Sequence, residues 1–177
     1  LSHAIESVWN INSNPISRNY ASVASKLIFE FLPALIENPT DLDLRSKIQF
    51  AALNAGLAFS NTATSMAHAI SYYLTLKNGT PHGIACSVPL PLIMDFIEKN
   101  EPEMAQNLHL TFSFDLYNKL LGLLEKCKVS PNLDDYSLDK SDFRNIREQV
   151  LNNPRAKNFT GINNFINYWN KKWDLQS

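Results

Sequence analysis

Cysteine is nearly missing from this chain: 177 residues hold only Cys86 and Cys127, far apart and outside any Cys-x-x-Cys pattern. That excludes a disulfide-dense scaffold or a zinc ribbon, and two single thiols suit the reducing cytoplasm. Glycine is almost as scarce, at five positions, with no Gly-x-Gly-x-x-Gly turn. A backbone cradle for a dinucleotide's phosphates needs such glycines, so this chain does not supply one. Long apolar runs are also lacking: none approaches the ~20 residues of a membrane span, and "LIMDFI" is short and carries an acid. Neither sign of charge dominates. Sixteen Lys and Arg against seventeen Asp and Glu leave a net charge of −1, which gives no basic field for nucleic acid or an anionic membrane. Strand-length alternation, internal repeats and low-complexity segments are missing as well.

What is present reads at the helical period almost throughout, and the fold class expected is all-α, one domain over residues 1–177. Apolar residues make up 45% of the chain and charged residues 19%, which is ordinary for a globular core of this length. "LSHAIESVW" sets Leu1, Ile5 and Val8 on one stripe from the first residue, without a cap. A helix that begins mid-stride reads as a piece of a longer polypeptide. Pro15 suits the first turn of a long second helix, which Pro33 should bend or restart. Thr40 or Asp41 caps the next helix, an Ala- and Leu-rich stretch suited to close packing. Residues 62–77 read as a helix stopped by "NGTP", and 83–99 as a helix interrupted early by Pro89 and Pro91. Further helices are expected near 101–107, 111–128, 139–151 and 159–174, with a polar loop before the third of these.

Three of the four histidines raise the question of chemistry. His68 lies in a helix among small residues, and His82 follows a Gly-Thr-Pro turn. Two consecutive elements joined by such a turn run roughly antiparallel, so both imidazoles can face one cleft, and histidine is the commonest nitrogen ligand for zinc and iron. The same spacing also fits two unrelated, hydrogen-bonded side chains. His3 is distant in sequence and belongs to no local pattern. Periodicity does not decide between a metal site and three separate residues.

The segments "LSHAIESVWNINSNPIS", "ALNAGLAFSNTATSMAHAIS" and "GTPHGIACSVPLP", in that order and spacing, closely resemble the iron-containing alcohol dehydrogenases of the dehydroquinate-synthase-like group. The resemblance covers about residues 1 to 100, and "NNPRAKN" is similar to the family's closing motif. It implies that His3, His68 and His82 are metal ligands for Fe²⁺ or Zn²⁺. The family's fourth ligand, an aspartate one helical turn before His3, would fall just before Leu1. The resemblance further implies a small alcohol or aldehyde as substrate and NAD(P) as cofactor, bound mainly by an N-terminal α/β domain that is this chain's partner. This chain by itself would be inactive.

Phe59 of "AGLAFSN" matches an aromatic that lines the family's substrate pocket, and serves equally well as a core Phe on an amphipathic helix. Trp9 and Cys86 each follow a ligand within a few residues and are further pocket candidates. Tyr72 stands one turn after His68, where many members carry another His; a tyrosine donates a hydrogen bond but does not titrate near neutrality, which puts a histidine relay there in doubt. "ESVWNINSNPIS" and "HAISYYLTLKNGTPHGIACS" look most like the branch associated with phosphonate metabolism, which implies a phosphonoacetaldehyde-like substrate. His109 matches no motif and reads as a surface or capping residue; Ser60 and Asn61 read as structural hydrogen-bonders. Two rivals stand beside this reading: a non-catalytic helical interaction domain that has lost its nucleotide-binding half, and a glycerol dehydrogenase or dehydroquinate synthase reaction on the same architecture. Without the second half an apolar face is left exposed, which favours a homodimer.

Overall fold

In the computed structural model, which describes residues 1–175, the chain is a stack of helices around a central short one. These are α1 (Ser2–Trp9), α2 (Pro15–Glu37), α3 (Leu42–Ser60), α4 (Met66–Asn78), α5 (His82–Ser87), α6 (Leu90–Asn100), α7 (Pro102–Thr111), α8 (Leu116–Lys126), α9 (Lys140–Asn152) and α10 (Ile162–Lys172). Two 3₁₀ turns, Leu133–Tyr136 and Ala156–Asn158, complete the order. Among the described residues there is no strand, only an isolated antiparallel bridge between Asn10 and Phe159. No described helix is long and apolar enough to cross a membrane.

Side-chain caps explain where several helices begin. Asn14 accepts from the backbone N–H groups of Ile16 and Ser17, and Ser17 reciprocates to form a capping box before Pro15 at the first position. Asp41, rather than Thr40, caps α3, and Asp139 caps α9 with Asp142 closing the box. Gly79 ends α4 at φ 63°, a conformation that a Cβ would strain.

Four boundaries differ from the sequence expectation. Pro33 does not restart α2, which runs on to Glu37 with the proline in its last turns, leaving one carbonyl without its intrahelical donor. Residues 62–65 form a turn with Ala63 at φ 64°, so α4 starts only at Met66. The 83–99 segment is two helices, because Pro89 and Pro91 open α6 instead of interrupting it. Residues 112–115 are outside any helix, and α8 begins after its Asp115 cap.

α1 is the hub. Ala4, Ile5, Glu6, Ser7, Val8 and Trp9 are all buried, and the helix packs against α2, α3, α4, α5 and α7. Eight residues are too few to hold a helix in water, so its order comes from the core around it. Phe96, Phe159, Phe165 and Trp169 continue that core toward α10 through ring contacts of 5.2–6.1 Å. A histidine and a glutamate fixed on such a hub are held rigidly, which is what a ligand site requires.

Candidate metal centre

The histidines arrive from three helices: His3 from α1, His68 from α4 and His82 from the first position of α5. Their rings gather at one place. His3 stacks on His68 with centroids 4.8 Å apart, and His82 meets His68 edge-on at 5.6 Å. Phe59, from the end of α3, lies flat against the other face of His3 at 4.2 Å. Tyr72 stacks on His82 at 6.0 Å. Together with Ala63, Thr64, Pro154, Arg155 and Asn158 these residues line an open cavity of about 610 Å³.

The turn before α4 explains how His68 is aimed. Ser65 sits at the N-cap of α4 without making a cap hydrogen bond. Glu6 of α1 takes over that task from across the core: its Oε1 accepts from the backbone N–H of Ala67 (2.6 Å) and of His68 (3.2 Å). Its second oxygen, Oε2, meets the Nδ1 atom of His68. One buried carboxylate therefore neutralises the helix N-terminus and fixes the imidazole's orientation. With the Nδ1 proton committed to Glu6, Nε2 is the nitrogen left to face the cavity.

The protonation of the cluster follows from these contacts. Burial pushes His3 down to about 4, and the adjacent His68 adds to the effect, so His3 is neutral at physiological pH with a free lone pair. Burial also disfavours the charged form of His68, but hydrogen bonds with Cys86 and with Glu6 outweigh it and raise the group to about 9, so the metal-free ring carries a second proton on Nε2 at neutral pH, which a metal would displace on binding there. Cys86, one turn after His82 on α5, is buried, with Sγ 3.6 Å from Nε2 of His82.

These donors suit a divalent transition metal. Ligand atoms of His68, His82 and Cys86 lie within 4.8 Å of one another, and the neutral His3 ring stands beside them. Imidazoles with a thiol or carboxylate are the donor set that Zn²⁺ and Fe²⁺ accept. The sequence expectation placed Cys86 among the substrate-pocket residues; the structure sets it behind His82, within ligand range, and not on the cavity wall.

Trp9 is a correction. It does not line the histidine cavity: it is buried, edge-on to Phe159 at 6.4 Å, and borders a different hollow with Asn10, Arg18 and Glu101. Six residues at ~100° each rotate it well away from the face that carries His3. Phe59 and Tyr72 do line the cavity. His109 lies at the surface beside Glu98, and Ser60 and Asn61 both donate to the Leu57 carbonyl at the end of α3.

Two residues at the site escaped the sequence reading. Glu6 follows His3 by three residues, so it shares that helical face, but its partner is sixty-two residues away. Arg155 sits over the Tyr72 ring at 5.5 Å, and its only signal was its place inside "NNPRAKN".

Comparison with known proteins bears on the whole arrangement. Residues 1–167 match the sequence profile of the Fe-containing alcohol dehydrogenase family, C-terminal. The 1,3-propanediol dehydrogenase of Klebsiella pneumoniae is 26% identical over 176 residues, covering 89% of this chain and 46% of that protein. The phosphonoacetaldehyde reductase of Streptomyces viridochromogenes is 36% identical over 96 residues, 54% of this chain and 24% of that protein. The crystal structure of sulfoacetaldehyde reductase from Bifidobacterium kashiwanohense, in complex with NAD⁺, superimposes with a TM-score of 0.75 at 25% identity, covering 95% of this chain and 47% of that one. The chain spans less than half the length of each of these relatives. It belongs to the Fe-containing alcohol dehydrogenase family and corresponds to that family's C-terminal, all-α domain.

Proposed function

We propose that this chain is the metal- and substrate-binding half of an NAD(P)-dependent enzyme that interconverts a small aldehyde and its alcohol, with a phosphonoacetaldehyde-like compound as substrate. The observation that carries the reading is the convergence of His3, His68 and His82 from three separate helices on one open cavity. These three imidazoles would hold Fe²⁺ or Zn²⁺, with the carboxylate that the family places one turn before His3 as fourth ligand. When bound, the ion supplies Lewis-acid polarisation of the carbonyl or alcohol oxygen.

The chain's own residues divide the remaining work. Glu6 keeps the proton on Nδ1 of His68 and so presents Nε2 to the cavity. Phe59 packs against His3 and removes one face of that ring from water, which supports the neutral form. Tyr72 closes the cavity beside His82 and offers a hydroxyl that donates a hydrogen bond. Hydride transfer itself belongs to the nicotinamide, and alignment of that cofactor falls to an α/β nucleotide-binding half. In this reading that half and a second copy of the chain are the macromolecular partners. The apolar stripe of Phe50, Leu53 and Leu57 on α3, exposed at 55%, 57% and 38%, offers them a surface. The placement is cytoplasmic, in keeping with two free thiols.

The phosphonate assignment draws on the Streptomyces relative. Its test is turnover: the chain joined to its nucleotide-binding half, loaded with Fe²⁺ or Zn²⁺, should oxidise NADH or NADPH with phosphonoacetaldehyde and lose the activity on chelation. Equal kcat/KM with propanal would end the phosphonate assignment, and absence of activity with every aldehyde would end the dehydrogenase reading.

A further inference from the structure

We infer that Cys86, His68 and His82 form a second, recessed metal position that takes cations softer than Zn²⁺, such as Cd²⁺ or Cu⁺, and that an ion held there shuts out the catalytic one. The position borrows two imidazoles from the centre described above. It stands apart from the dehydrogenase reading, because it requires Cys86 and does not require His3.

Three donors meet at it. Their ligand atoms lie within 4.8 Å of one another. Sγ of Cys86 is 3.6 Å from Nε2 of His82 and 3.7 Å from its Nδ1. With metal–sulfur bonds of about 2.3 Å and metal–nitrogen bonds of about 2.0–2.1 Å, two ligands of a tetrahedral ion stand about 3.6 Å apart. The thiol and the imidazole thus already span one edge of such a site. A thiol–imidazole hydrogen bond accounts for that distance, but it does not require His68, a donor from another helix, in the same cluster.

The donors are held in place before an ion arrives. Cys86 follows His82 by four residues on α5, so the two side chains share a face. The Ser2 hydroxyl donates to the Cys86 carbonyl (2.8 Å) and pins α5 to α1, and Ala85 and Val88 are fully buried. Glu6 fixes the ring of His68. The thiol is free and only 3% exposed, while His82 is exposed and gives an ion its way in. Cys127 belongs to no such cluster among the described residues.

Softness decides which ion settles where. Thiolate sulfur favours soft cations, and imidazoles with a carboxylate suit harder ones. Fe²⁺ therefore stays with the three imidazoles, whereas Cd²⁺ or Cu⁺ moves toward the sulfur. Binding sends the thiol proton of Cys86 and the Nε2 proton of His68 to water. His68 and His82 cannot serve two ions at once, so the soft ion expels Fe²⁺. Cys86 is off the cavity wall, and an ion drawn toward it is withdrawn from a substrate's oxygen.

The experiment uses the enzyme with both halves present, stripped of metal by chelation and titrated calorimetrically with Cd²⁺ or with Fe²⁺. The ultraviolet thiolate-to-cadmium charge-transfer band is read alongside. Cys86→Ala should weaken Cd²⁺ binding by at least the roughly 10- to 100-fold that loss of a residue merely orienting a ligand costs. It should diminish the band and leave Fe²⁺ affinity within about threefold. His3→Ala should do the reverse, weakening Fe²⁺ and sparing Cd²⁺. Cys86→Ser, close to the native side chain in size, should repeat the Cys86→Ala result and so excludes a packing defect. Wild-type crystals soaked in Cd²⁺ should show an anomalous peak bonded to Sγ of Cys86. Unchanged Cd²⁺ affinity in Cys86→Ala, equal losses of both ions, or a peak away from Sγ each overturn the inference. None of these readouts needs turnover, so they decide the matter even where no aldehyde is reduced and the dehydrogenase reading fails.

Discussion

Replacing Glu6 by Gln separates the two tasks that its carboxylate performs. The residue is fully buried and meets three donors: the backbone N–H of Ala67, that of His68, and the Nδ1 of the same residue. The amide oxygen of Gln can still accept from the two backbone groups, so α4 keeps its cap and the cost should be about 1–2 kcal/mol. The amide nitrogen, however, is a donor, and it faces Nδ1. The imidazole must then accept there and carry its proton on Nε2, the nitrogen that faces the cavity. Metal affinity should therefore fall about 10- to 100-fold while the fold survives. Glu6→Ala removes all three acceptor contacts from a dry site and should cost about 3–5 kcal/mol, a large share of a domain's typical stability. Urea denaturation gives the first quantity, and calorimetry with Zn²⁺ or Fe²⁺ the second. A Gln variant that binds metal as tightly as wild type would refute the tautomer argument, and an Ala variant that loses less than about 1 kcal/mol would refute the capping argument.

Two further outcomes test other parts of the fold. Asp142 joins α9 to α4 by accepting from Tyr73 (2.8 Å) and by pairing with Lys77. Burial opposes its charge, but the Lys77 hydrogen bond, the Asp139 N–H and the Tyr73 hydroxyl outweigh it and hold the group down to about 2. A depressed carboxylate contributes stability above its unfolded pKa and loses it as pH falls through the folded value. The advantage of wild type over Asp142→Asn should thus be full above pH ~4 and fade toward pH ~2. It should amount to about 1–2 kcal/mol, reduced because the Lys77 end is open to solvent; an advantage that persists undiminished at low pH would exclude the pair as its source. Ala63 holds φ 64° in the turn before α4, so Ala63→Gly should raise stability by about 0.5–1 kcal/mol in thermal unfolding, against the usual direction of a Gly substitution. A lowered melting temperature would mean that the turn is not strained.

Most of the helices were legible in the sequence because their signals are local. The Asn14-Pro15 start, the Asp41 cap and the Gly79 stop each act within a turn of the residues they control. The start of α4 was not legible: Glu6, sixty-one residues before Ala67, is what caps it, and no local residue reveals that. The histidines were legible as candidates, yet spacing left them ambiguous, and the family resemblance was needed to group His3 with the others. Trp9 was misplaced for a simple reason. Nearness to His3 along the chain is not nearness around a helix. Arg155 escaped because its contact, Tyr72, stands on a helix far away in sequence.

The central claim is that His3, His68 and His82 together bind one divalent ion, and anomalous diffraction from crystals of the Zn²⁺- or Fe²⁺-loaded enzyme tests it most directly. The result expected is a single peak within ~2.0–2.2 Å of one nitrogen from each of the three imidazoles. A peak held by His68, His82 and the Cys86 thiolate with His3 uninvolved, or one away from this cavity, would contradict it.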